Sequence, residues 1–164
     1  MREFLLYGTD GLKKKQALFA SFFVVQNRLQ VSGENIQEKI SMRQWHLLAM
    51  TEICDKPKTL TNIGKLMGCS RQNVKNLAAA LEEKGFIIFE YGANNSVLIN
   101  ITECAYDYLS QIGGRQTEIL NRLFSHFTER EIDNYFYLQN KLLDGLSETE
   151  KLAREIKKSG SGGK

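Results

Sequence analysis

Proline occurs once in this 164-residue chain, tryptophan once, histidine twice and cysteine three times, and no apolar run is long. Each scarcity excludes something. The longest apolar candidate, ALFASFFVV, is under half of the roughly 20 residues that a membrane-spanning helix needs. The opening MREFLLYGTDGLKKK has too short an apolar stretch and no small-residue cleavage site for a signal peptide, so a cytoplasmic location and no membrane partner are expected. Cys54, Cys69 and Cys104 are odd in number and show no CxxC spacing, and His46 and His126 lie far apart. A zinc site is therefore unsupported, and reduced structural thiols are the simplest reading. No glycine loop of phosphate-binding type is present, because Gly64-Lys65 is followed by Leu66 rather than by Ser or Thr. With no nucleophile motif either, no catalytic residue, metal ligand or cofactor is expected, and the chain does not read as an enzyme.

What is present suits a soluble globular protein. Hydrophobic residues make up 42% and charged residues 25%, so neither disorder nor a membrane protein describes the whole chain. The length fits one domain, alone or with an appended helical part. Net charge is only +3, but its distribution is uneven. Between residues 56 and 81 stand Lys56, Lys58, Lys65, Arg71 and Lys75 with no acidic residue, whereas 102–158 holds ten acids against eight bases. Such a local basic footprint is expected of a nucleic-acid binder.

Periodicity assigns the elements. Leu18, Phe22, Val25 and Leu29 recur at helical spacing within 12–30, a Phe-rich amphipathic helix, and Gly33 is expected to loosen the chain after it. Ser41 and Gln44 form a capping box that opens a second helix, with Trp45, Leu48 and Ile53 as its buried candidates. Pro57 marks an extended connection, KPKTL, and Thr61 is a candidate cap for the short helix NIGKLM. Gly68 ends that helix, Ser70 caps RQNVKNLAAALEEK, and Gly85 stops it. Two short helices joined by a glycine-containing turn make a helix-turn-helix.

FIIFEY and SVLINI, separated by GANN, then read as a β-hairpin. Thr102 caps a further helix, which Gly113-Gly114 is expected to interrupt or end. Thr128 and Glu131 form a second capping box ahead of a long apolar stripe that includes Ile132, Tyr135, Phe136, Leu142, Leu143 and Leu146. That stripe is more than a domain of this size covers alone. The fold class is thus mainly α with a small β-hairpin.

The stretch GKLMGCSRQNVKNL carries the chemistry. On a helical wheel Val74, Leu77, Ala78 and Leu81 face inward, Gln72, Lys75 and Asn76 point outward, and Arg71 and Asn73 flank them. These residues cluster near the helix start, where a recognition helix meets base edges. Arginine pairs bidentately with guanine, and glutamine or asparagine with adenine, because their planar forks match those bases. Ser70 and the free N–H groups beside it suit a phosphate. A merely solvated helix face is the alternative, and the acid-free surroundings weigh against it.

The order helix, KPKTLTNIGKLMGCSRQNVKNLAAALEEKGFI, hairpin, ITECAYDYL resembles the winged helix-turn-helix of MarR-type transcriptional regulators. By motif the resemblance covers about 35–110, and by architecture nearly the whole chain. It implies a winged DNA-binding domain over 41–110, an N-terminal dimerisation helix and connector over 1–40, C-terminal dimerisation helices over 111–158, and a flexible tail over 159–164. It also implies a homodimer on double-stranded DNA, gripping a pseudo-palindromic operator, usually as a repressor. Many proteins of this type release DNA when a small aromatic effector binds between the two parts. Phe22, Trp45 and His46 are the candidates for that pocket, with core packing the competing role for Trp45. The DNA-binding set is Ser70, Arg71, Gln72, Asn73, Lys75 and Asn76, with Lys58 and, in the wing, Asn94 and Asn95. Here the sequence departs from the family, whose wing tip usually carries an Asp-x-Arg pattern; YGANNSV has no arginine to enter the minor groove. That absence and the modest net charge keep an alternative open, a winged-helix module that binds protein without specific DNA binding.

Overall fold

A computed structural model describes residues 11–92 and 96–161. Its helices are α1 (Gly11–Glu34), α2 (Met42–Glu52), α3 (Leu60–Leu66), α4 (Arg71–Glu82), α5 (Glu103–Leu123) and α6 (Glu129–Ser161), with strands β1 (Ile87–Tyr91) and β2 (Val97–Ile101) between α4 and α5. Contacts divide the chain into two units at Gly113/Gly114.

The core of the first unit is built from several elements at once. Leu47 and Leu48 of α2, Leu60 and Ile63 of α3, and Val74, Ala78 and Leu81 of α4 meet Phe86, Ile87, Ile99 and, from α5, Ala105, Tyr108 and Ile112. The hairpin is antiparallel and pairs Ile87 with Ile101, Phe89 with Ile99, and Tyr91 with Val97. Alternation turns Ile87 and Ile99 inward while Ile88 is exposed. The far edge of β2 is occupied by the Pro57-containing connector. Ile99 N–H donates to the Lys58 carbonyl at 2.9 Å, and Thr59 bridges Leu98.

Local signals start most helices where they were expected. Ser41 and Gln44 exchange both bonds of a capping box, and Ser70 Oγ accepts from Asn73 N–H at 3.2 Å. Gly68 and Gly85 sit at φ +62° and +72°, the left-handed region that a helix exit needs. Thr102 Oγ1 donates to the Gly85 carbonyl at 2.7 Å, which ties the start of α5 to the start of β1. In the second unit Thr128 N–H donates to Glu131 Oε2 at 2.8 Å, and Glu131 N–H donates back to Thr128 Oγ1. The Thr128 N–H and the Thr128 hydroxyl, which donates to the same Oε2 at 2.9 Å, hold the Glu131 carboxyl below its usual range.

Four local expectations are corrected. The cap of α3 is Thr59, whose Oγ1 accepts from Asn62 N–H at 3.1 Å; Thr61 lies inside the first turn. The buried face of α2 is Gln44, Leu47, Leu48 and Thr51, and Ile53 is exposed. The polar members Gln44 and Thr51 disguised that i, i+3, i+4, i+7 pattern. Gly33 does not loosen the chain but is buried in the last turn of α1, where a Cβ would stand 2.5 Å from the Met42 sulfur. Gly113 and Gly114 do not interrupt α5, which continues to Leu123. A glycine costs a helix about 1 kcal/mol against alanine, too little to end one whose first half is seated in the core by Ala105, Tyr108 and Ile112. Likewise Ser159 and Gly160 continue α6, with the Ser159 hydroxyl donating to the Ile156 carbonyl.

Glycine has two opposite meanings in this fold. A Cβ on Gly64 would lie 2.9 Å from the Cys69 carbonyl oxygen, whereas one on Gly113 meets nothing within 4 Å. Gly64→Ala is therefore expected to destabilise by about 1–3 kcal/mol despite the better helix propensity of alanine. Gly113→Ala should stabilise by about 0.5–1 kcal/mol. Urea unfolding at one fixed protein concentration compares the two.

Candidate nucleic-acid interface

The helix-turn-helix is closed by backbone groups. Met67 N–H donates to the Ile63 carbonyl and Gly68 N–H to that of Lys65. Cys69 N–H then turns back to the Gly64 carbonyl at 2.9 Å. Gly68, in its left-handed conformation, makes that reversal possible. Ser70 follows in extended conformation (φ −71°, ψ 152°) and starts α4.

Val74, Ala78 and Leu81 are fully buried and Leu77 is half-buried, which fixes the rotation of α4. Arg71, Gln72, Asn73, Lys75 and Asn76 are all exposed. At about 100° per residue, Gln72 and Asn76 stand opposite the buried stripe, with Asn73 and Lys75 to either side. Arg71 lies nearer the edge of the buried face. Gln72 Nε2 donates to Asn76 Oδ1 at 2.9 Å, a side-chain pair that spacing alone did not single out. The Ser70 hydroxyl oxygen is engaged as a cap, and its proton stays available to a phosphate. Lys58 is half-buried beside β2, and its carbonyl is the acceptor of Ile99 N–H. Asn94 and Asn95, the expected wing contacts, lie outside the described residues.

A cleft of about 870 Å³ opens in the same unit. Leu29 and Gln30 of α1, Trp45 and His46 of α2, Cys69 of the turn and Asn73 of α4 line it. Asn76 also belongs to its wall. Phe22 does not, because the wall begins one turn further along α1, at Gln26. Trp45 is half-buried and packs against the core as well as lining the cleft. Among the cysteines, Cys54 is buried, with its thiol donating to the Lys56 carbonyl, and Cys104 is exposed. Among the described residues no group of three or more His, Cys, Asp or Glu side chains could hold a metal ion, and no helix is long and apolar enough to cross a membrane.

No protein-family model and no curated protein sequence matches the chain. Solved structures do. A MarR/EmrR family transcriptional regulator from Acinetobacter sp. ADP1 is 20% identical, covers 82% of this chain and 97% of its own, and superposes with a TM-score of 0.73. MepR of S. aureus, in a complex with DNA, is also 20% identical, with 76% and 93% covered and a TM-score of 0.65. An organohalide-sensing RdhR transcriptional regulator in its 2,4-dichlorophenol-bound form is 14% identical, with 84% and 86% covered and a TM-score of 0.68. Six helices and one antiparallel hairpin in this order, among the described residues, match the winged-helix fold of MarR-type regulators.

Burial in the cleft lowers the pKa of His46 below the usual 6.5. The folded state thus takes up this proton less readily than the unfolded chain. The resulting contribution to stability is fully present above pH 6.5 and is lost as pH falls from there through the lowered value. Thermal melts between pH 8 and pH 5 should show that His46→Gln removes part of the acid-side decline of the wild type.

Proposed function

We propose that this chain is a MarR-type transcriptional regulator that binds double-stranded DNA sequence-specifically, as a homodimer on a pseudo-palindromic operator. The observation that carries the reading is α4. Its apolar stripe is locked into the core while five amide or basic side chains stand exposed at its start, next to a turn without acidic residues. This is the arrangement by which a recognition helix enters the major groove, with Arg71, Gln72 and Asn73 toward base edges and Ser70, Lys58 and Lys75 toward phosphates. The MepR structure, being a complex with DNA, supports the same use of the fold.

The dimer is supported by apolar surface that the chain itself leaves open. Phe19 and Phe23 of α1 are exposed, and so are Tyr135, Phe136, Leu142, Leu143 and Leu146 of α6, with Phe136 at 71%. Exposed apolar area on this scale marks an interaction surface. Residues 1–40 and 111–158 are then the dimerisation parts, flanking a DNA-binding part over 41–110. The cleft beside Trp45 and His46 suits a small aromatic effector, and its wall includes Asn73 and Asn76 of the reading helix. An effector there would oppose base contact, which is the logic of a ligand-responsive repressor; the dichlorophenol-bound regulator supports that class of ligand.

Selection from a random duplex pool should return two half-sites about one helical turn apart, bound in a strongly salt-dependent way. Arg71→Ala and Gln72→Ala should each cost about 1–3 kcal/mol of operator discrimination. Unchanged selectivity in both variants would remove α4 as the reading helix, and capture of a protein in place of any duplex would favour an interaction module. Sedimentation should give twice the monomer mass, and Leu143→Glu with Leu146→Glu should reduce it to one.

A further inference from the structure

We propose that Asn76 is a positioning residue rather than a base reader: it fixes the Gln72 amide so that Gln72 is committed to an adenine in each half-site. The inference rests on the DNA-binding reading given above. The two side chains are one turn apart on α4, on the side opposite Val74, Ala78 and Leu81, and Gln72 Nε2 donates to Asn76 Oδ1 at 2.9 Å. A glutamine amide has two N–H donors and one acceptor oxygen. In the proposed pair Asn76 holds the N–H trans to the amide oxygen, which leaves Gln72 the cis N–H and the oxygen side by side as one donor and one acceptor in a fixed order. That edge complements adenine, whose N7 accepts and whose N6 donates. Guanine offers two acceptors, N7 and O6, so the same edge sets the Gln72 oxygen against O6.

A glutamine without this bond turns freely about its last torsion, which is broad and roughly twofold, and can offer its N–H groups to either purine. Asn76 is also set back from the contact zone. It lines the cleft together with Asn73 and Leu77, whereas Gln72 lies outside that wall and one turn nearer the helix start. The start is where a recognition helix meets base edges. Asn76 thus supplies direction and Gln72 the contact.

The test uses the full-length protein and competition among duplexes that differ at one base pair, the one whose preference Gln72→Ala abolishes. Asn76→Ala should lose the same adenine preference by at least about fivefold and newly tolerate guanine there. Asn76→Asp keeps an acceptor toward Gln72 but adds negative charge near phosphates, so it should bind every duplex more weakly while retaining the preference. A mere loss of helix stability would lower affinity without moving selectivity at one position, and circular dichroism confirms that each variant is folded. The inference is overturned if Asn76→Ala keeps the adenine preference, or if it changes preference at a different base pair, which would make Asn76 a reader. Selective binding with an unchanged Asn76→Ala profile removes this inference alone; a wild type that retains no duplex at any salt removes the DNA-binding reading with it.

Discussion

The contact between Cys69 and Gly64 governs the geometry of α4 and of the cleft beside it in the first unit. Cys69 donates its N–H to the Gly64 carbonyl, and its own carbonyl oxygen lies where a Cβ on residue 64 would be. The approach brings the turn against the helix it has just left, so α4 departs at a set angle. Val74 is the first side chain to benefit, since its Cγ2 also packs toward Gly64. Once Val74, Ala78 and Leu81 are seated, the direction of Gln72 and Asn76 follows from helix geometry alone. Residue 64 has a backbone conformation open to any amino acid; the demand for glycine there is steric, set by a neighbour five positions away. No local pattern announces such a demand.

Polar groups inside the unit do comparable work for the segments that flank the winged part. Tyr108 stacks on Phe86 at 5.3 Å, while its hydroxyl donates to Gln37 Oε1 and accepts from Glu38 N–H. Lys84 Nζ donates to the Lys39 carbonyl at 2.7 Å, and Thr51 satisfies its buried hydroxyl on the Leu47 carbonyl. The α1–α2 connector is thereby pinned to α5 and to the end of α4 by hydrogen bonds, in addition to the burial of its Ile40 in the core. Each of these bonds is worth about 1 kcal/mol, but leaving a buried member unpaired costs more, which makes the set specific.

That division explains what could be read from the chain and what could not. Capping boxes at Ser41 and Thr128, the Ser70 cap and the glycine exits at Gly68 and Gly85 are short-range rules, and the structure follows them. So is the stripe that buries one side of α4 and exposes the other. Errors arose where a tertiary partner overruled a local cue. Gly33 became a landing place for Met42, and Gln44 was buried because its side chain closes the capping box and meets Lys84. Gly113-Gly114 instead stayed helical with open space around it, because the cost of glycine in a helix is small. The cleft was legible only in part. Trp45 and His46 share a wall with Cys69 and Asn73, and Phe22 is excluded because it lies one turn before Gln26, where the wall begins on α1.

The second unit poses an energetic question that its own residues do not answer. At about 1.5 Å per residue α6 is about 50 Å long, and among its described side chains none is buried. An exposed ion pair on it, Lys151 with Glu148 at 2.7 Å, contributes a few tenths of a kcal/mol at most. The capping box fixes where the helix begins, and caps and pairs together do not hold 33 residues against fraying. Helices of this length persist by burying an amphipathic face, and α6 has one, running from Tyr135 through Leu142 to Leu146 and on to Leu152 and Ile156. The exposed phenylalanines of α1 extend the same deficit to the other end of the chain. The apolar core therefore lies between α2 and the first half of α5, while the apolar faces of α1 and α6 stay open, so the persistence of these two long helices depends on burial that the core does not supply.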